Sequence, residues 1–123
     1  MNRLQKHRGP DGEGSWSHSS KTIGLAHVRL SIIDLTSGDQ PMKDRAGNWI
    51  VFNGEIYNYI ELRKELGEEN FATTSDTEVL LRMYLAHGAD FVARLNGMFA
   101  FVLHDARNGR IVAVRDHFGI KPL

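Results

Sequence analysis

The sequence has no cysteine, which excludes disulfides, thiolate metal sites and a thiol nucleophile within these 123 residues. It has no excess of either charge: 15 basic side chains offset 15 acidic ones, for a formal net charge of zero. Nothing in that balance steers the chain toward nucleic acid or an anionic membrane. No apolar run approaches the ~18 residues that a membrane span requires. The opening M-N-R-L-Q-K-H-R-G-P lacks the apolar centre of a secretory signal, so a cytoplasmic location is the default expectation. His7, His18, His27, His87, His104 and His117 show neither H-x-H nor H-x-x-x-H spacing, and a metal centre is not expected. The glycines of G-P-D-G-E-G match neither a Walker loop nor a dinucleotide fingerprint.

What is present is enough for one domain. A chain of this length can bury roughly two thirds of the surface that its unfolded form exposes. After a short helical lead-in, the turn formers of H-R-G-P-D-G-E-G (His7 to Gly14) read as a structured loop. Lys21 to Asp34 is rich in β-branched and aliphatic residues and predicts one or two strands. T-S-G-D-Q-P-M-K-D-R-A-G-N is loop by composition, and Trp49 to Phe52 is a short apolar strand.

Asn53-Gly54 is a strong hairpin-turn signal, yet the residues after it do not alternate as a second arm would. Ile56, Tyr59, Ile60, Leu62 and Leu66 are spaced mostly by three or four and favour a helix, with Asn58 as cap, Glu61 completing a capping box and Gly67 as stop. The reading therefore favours strand, tight turn and helix over a hairpin. T-T-S-D-T-E-V-L-L-R-M-Y-L-A-H-G predicts a second helix, capped by Ser75, with Glu78 at the third helical position and Gly88 at the end. A shorter helix near Asp90 to Leu95 leads into the apolar strand M-F-A-F-V-L, and a hairpin succeeds it around Asn108-Gly109. Strands and helices without strict βαβ alternation give an α+β class with mostly antiparallel pairing, in a layered arrangement that covers strands on both faces.

Three spots place polar groups where chemistry could use them. Arg29 sits inside V-R-L-S-I-I, and its guanidinium needs either a carboxylate partner or an edge position with its head in water. Asp76 follows the capping Ser75; a carboxylate there is ordinarily only a helix-start device, favoured by the dipole. Asn53 and Gly54 combine a side-chain amide donor with a backbone N–H that no Cβ shields, the parts from which an oxyanion hole can be built.

Seven segments in order, H-R-G-P-D-G-E-G, L-A-H-V-R-L-S-I-I-D-L, Q-P-M, V-F-N-G-E-I-Y-N, S-D-T-E-V-L-L, L-N-G-M-F-A-F and R-D-H-F-G-I-K-P-L, resemble the glutaminase domain of glutamine-hydrolysing asparagine synthetases. The likeness runs from about His7 to Leu123 and extends more distantly to other class II glutamine amidotransferases. It implies a four-layer αββα fold of the N-terminal-nucleophile hydrolase type, with two antiparallel sheets between helices. It implies that L-glutamine is bound and its side-chain amide cleaved. Arg29 would hold the α-carboxylate, with Leu30, Ser31, Ile32 and Ile33 lining the same pocket; Asn53 and Gly54 would form the oxyanion hole; Glu55 and Asp76 would receive the α-amino group. No cofactor is implied for this domain. Ammonia would pass to a synthetase domain that uses ATP and Mg2+, where it attacks an adenylated aspartate.

The chain departs from that pattern in one respect. The family's nucleophile is a cysteine at the mature N-terminus, some tens of residues before H-R-G-P-D, whereas here only six residues precede His7 and none is cysteine. The expectation is a partial domain, without nucleophile segment, last strands or synthetase domain, that keeps the pocket and is catalytically silent alone. The alternatives are a non-catalytic glutamine-binding or regulatory module, and an amidotransferase domain for another acceptor. Oligomeric state has no signature, and a homo-oligomer is left open.

Overall fold

The computed structural model describes residues 2–30 and 37–123. In chain order the elements are α1 (Asn2–Gln5), β1 (Gly12–Ser17), β2 (Gly24–Arg29), β3 (Met42–Lys43), β4 (Trp49–Ile56), α2 (Tyr59–Leu66), α3 (Asp76–His87), β5 (Gly97–Asp105) and β6 (Arg110–Arg115). Short 3-10 turns fill Lys6–Arg8, Glu68–Asn70 and Gly88–Arg94, the last where a short helix was expected. β1 and β2 form one antiparallel ribbon, and the other strands form a four-stranded antiparallel sheet in the order β3-β4-β5-β6. This is the expected α+β class. Among the described residues no helix is long and apolar enough to cross a membrane.

The main core lies between the four-stranded sheet and the helices. Alternation along β4 sends Ile50 and Phe52 to one face, where they join Phe99, Phe101 and Leu103 of β5, Leu62 of α2, and Val79, Leu80 and Met83 of α3 in one buried cluster. Trp49 lies on the opposite face, stacked on Trp16 of β1 with ring centroids 5.1 Å apart. His104, paired across from Trp49, tilts against the same Trp16 ring. The small ribbon thus covers the face that the helices leave, and α1 packs on β2. The helices, the four-stranded sheet and the ribbon are stacked in that order, and α1 has only four residues.

Several local expectations need correction. β1 starts at Gly12, inside the segment read as loop. Its inward positions Gly12, Gly14 and Trp16 alternate with exposed Glu13, Ser15 and Ser17, and a Cβ on Gly14 would run into the Gln40 carbonyl. The chain does not turn at Asn53-Gly54. β4 continues through both to Ile56, paired with Ala100 and Phe99, and the turn comes at Tyr57-Asn58. Asn58 makes no side-chain cap; its amide bridges to the Arg94 carbonyl (3.0 Å) and the Asn96 N–H (2.9 Å). Ser75 does cap α3, accepting from the Thr77 N–H at 3.1 Å. Glu78, however, reaches back past Ser75 to the N–H groups of Ala72 and Thr73. The hairpin at Asn108-Gly109 forms as expected, with Asp105 opposite Arg110.

Candidate functional site

β3 pairs with β4 only at Trp49 and Ile50, so beyond Ile50 one edge of β4 has no strand neighbour among the described residues. Side chains take the place of that strand. The Phe52 N–H donates to Gln40 Oε1 at 2.6 Å, the Phe52 carbonyl accepts from His27 Nε2 at 3.1 Å, and the Ile56 N–H donates to Asp76 Oδ2 at 3.1 Å. Gly54 lies between these anchored residues. Its partner across the sheet, Phe99, has both backbone groups engaged on the other side by Asp116, N–H to Oδ2 at 3.1 Å and carbonyl from the Asp116 N–H at 2.7 Å. Gly54 and Phe99 are therefore a pair without mutual hydrogen bonds, and strand alternation turns the Gly54 N–H toward the open edge.

That edge borders a cavity of about 240 Å³. The sequence-predicted Arg29, Leu30, Asn53, Gly54, Glu55 and Asp76 all line it. Ser31, Ile32 and Ile33 lie outside the described residues. Gly54 has φ +149°, and a Cβ there would point into the Met98 carbonyl, so the position accepts only glycine without strain.

Charge is distributed unevenly around the cavity. Arg29 closes β2 and is 8% exposed, with Nη1 at 3.4 Å from Asp39 Oδ1. The Asp39 side chain is 92% exposed, which makes this a screened, weak pair. Asp76, the first residue of α3, is buried. Burial raises its pKa to about 6, against the backbone N–H groups of Ile56 and Thr77, and the charge of Glu55 pushes it in the same direction as burial. Through the Ile56 N–H, Asp76 ties the start of α3 to the end of β4. Burial also lowers the pKa of His27, with Arg29 adding to the effect and the Phe52 hydrogen bond opposing it.

Other lining residues were not foreseen: His27, Gln40, Ser75, Thr77, Arg8 and Lys121. A period-two reading of L-A-H-V-R would have put His27 on the same strand face as Arg29. Lys121 comes after a segment folded around Asp116, whose carboxylate accepts from the N–H groups of Phe99, Phe118, Ile120 and Lys121. Burial opposes ionisation of Asp116, and these donors outweigh it, holding its pKa at about 2. Among the described residues, no group of three or more His, Asp or Glu side chains is placed to hold a metal ion.

The chain belongs to the glutamine amidotransferase domain family, whose model matches residues 1–123. It is 49% identical over 124 residues to an asparagine synthetase (glutamine-hydrolyzing) of Asparagus officinalis, an alignment covering 100% of this chain and 21% of that protein. It is 46% identical over 126 residues to the Bacillus subtilis asparagine synthetase (glutamine-hydrolyzing) 1, covering 100% of this chain and 20% of that protein. Amidase chry2 of Gibberella zeae is 45% identical over 123 residues, covering 98% of this chain and 18% of that protein. The chain spans about a fifth of the length of these curated relatives.

Proposed function

We propose that the cavity binds L-glutamine as the glutaminase pocket of an asparagine synthetase. The observation that carries this reading is the gathering of one buried guanidinium, two carboxylates and an edge glycine amide around a space of about 240 Å³. A zwitterionic amino acid needs a cation for its carboxylate and anions for its ammonium, on either side of a held amide. Arg29 takes the α-carboxylate, Glu55 and Asp76 take the α-ammonium, and Leu30 supplies apolar wall. Ser31, Ile32 and Ile33 are assigned to the same pocket from the family resemblance. The Asn53 side-chain amide and the Gly54 N–H meet the substrate carbonyl oxygen. When that oxygen becomes an oxyanion, each such donor is worth roughly 3 to 4 kcal/mol to the transition state.

Hydrolysis needs a nucleophile, and none of the 123 residues is a cysteine. The chain alone therefore holds glutamine without turning it over, and the attacking thiol comes from sequence outside these residues. The ammonia released in the full protein serves aspartate amidation, with ATP and Mg2+ bound by the synthetase portion and not by this cavity. The missing thiol also favours a second reading, a glutamine-binding module without hydrolysis; ammonia release by the full natural protein separates the two. The first test is calorimetry of the chain with L-glutamine. Saturable binding abolished by Arg29→Ala is the expected result. No saturable heat, or binding indifferent to that substitution, overturns the proposal.

A further inference from the structure

The open edge of β4 raises a question of orientation. A backbone amide can serve as a fixed donor only if its peptide plane is held, and Gly54 has no Cβ and, among the described residues, no strand on its outer side to hold it. We propose that His27 is a positioning residue for this amide: its ring, together with Gln40, bonds the outer edge of β4 and locks the peptides that carry Asn53 and Gly54. The inference rests on reading the cavity as a glutamine site.

The peptide joining Phe52 to Asn53 is pinned from two directions. Its carbonyl accepts from His27 Nε2 at 3.1 Å, while Asn53 is paired with Ala100 on the β5 side. The preceding peptide is pinned by the Phe52 N–H on Gln40 Oε1 at 2.6 Å, and Gln40 is itself tied to Thr77 Oγ1 of α3 at 3.4 Å. Two residues beyond Gly54, the Ile56 N–H is held by Asp76. Gly54 is thus bracketed on both sides, and its own N–H has no partner among the described residues.

Not every form of His27 can do this. A carbonyl oxygen only accepts, so Nε2 must carry the hydrogen. In the neutral ring Nδ1 is then a lone pair, and it is buried without a hydrogen-bond partner among the described residues. A second proton would bury an unpaired N–H close to Arg29, which disfavours the cationic ring. A core histidine kept merely for volume would be replaceable by an apolar ring of similar size, and the two possibilities differ in what they predict for ligand selectivity.

The test compares L-glutamine with L-norleucine, which keeps the α-groups and lacks the side-chain amide, by calorimetry on the chain and two variants. His27→Phe should weaken L-glutamine roughly ten-fold, about the worth of one well-made hydrogen bond, while L-norleucine changes little. His27→Gln, whose terminal amide can reach the Phe52 carbonyl, should restore the preference. In 15N–1H spectra without ligand, the Asn53 and Gly54 amide resonances should shift in His27→Phe and return toward their original positions in His27→Gln. Should His27→Phe fail to fold, His27→Asn, whose amide is too short to reach Phe52, is read in the same way. Unchanged selectivity with unmoved Asn53 and Gly54 resonances overturns the proposal, and so does an equal loss in His27→Phe and His27→Gln. If the unmodified chain binds neither amino acid, the glutamine reading fails, and the amide resonances still decide whether His27 positions the strand.

Discussion

Asp76→Asn separates the needs of the cavity from those of the fold. Burial, above all, raises the Asp76 carboxyl from an ordinary 3.8 to about 6. Between those values the folded chain keeps a proton that the unfolded chain has released, so stability falls as pH rises through this window and the full penalty applies above about pH 6. A shift of about two units corresponds to roughly 3 kcal/mol. Asparagine keeps an oxygen for the Ile56 N–H and carries no charge to desolvate. The variant and the parent should therefore be about equally stable near pH 4, with the variant gaining an advantage that reaches roughly 2 to 3 kcal/mol by pH 7. Urea midpoints of both proteins at pH 4, 5, 6 and 7 measure this directly, because other titrating groups largely cancel in the difference. Saturating L-glutamine should reverse the order at pH 7, since its ammonium supplies the positive charge that Asp76 lacks. A difference that stays constant from pH 4 to pH 7, or a parent more stable than the variant at pH 7 without ligand, would refute the reasoning.

Other substitutions probe neighbouring parts of the structure. Arg29→Ala should cost roughly 2 to 5 kcal/mol of L-glutamine binding, read by calorimetry, because it leaves the α-carboxylate without its cation. Gly54→Ala combines a positive φ with a Cβ aimed at the Met98 carbonyl, and should lower folding stability by at least about 2 kcal/mol in denaturant titrations. Tyr84→Phe removes a buried 2.7 Å hydrogen bond to Asp105, and thermal denaturation should show a loss of about 1 kcal/mol with glutamine affinity unaltered. Ser75→Ala deletes the α3 cap and should cost about 1 kcal/mol by the same measurement.

The parts of this fold that were legible in the sequence are those whose causes are local. Ser75, Gly88 and the apolar spacing of α3 lie within one segment, and so do the turn residues of the β5–β6 hairpin. β1 was hidden because two of its three inward positions, Gly12 and Gly14, are glycines, so no apolar alternation shows; Gly14 passes so close to Gln40 and Pro41 that a Cβ would not fit. The strand through Asn53-Gly54 was misread for a related reason. Those residues are turn formers in isolation, and only the pairing with β5, more than 40 positions on, makes them strand. In the site, Arg29, Asn53, Gly54, Glu55 and Asp76 were named from motifs, and they do share one cavity. His27 and Gln40 were not assigned to the site, because each acts on the Phe52 backbone, 25 and 12 residues away, and backbone groups leave no mark of their own in the sequence.

The most direct measurement of the central claim is a 15N–1H titration of the chain with L-glutamine. Saturable shifts should concentrate at Asn53, Gly54, Glu55 and Asp76 and at the Arg29 side chain. Shifts gathered instead around the separate cleft of Tyr84, Asp105 and Arg110, or none at millimolar glutamine, would contradict it.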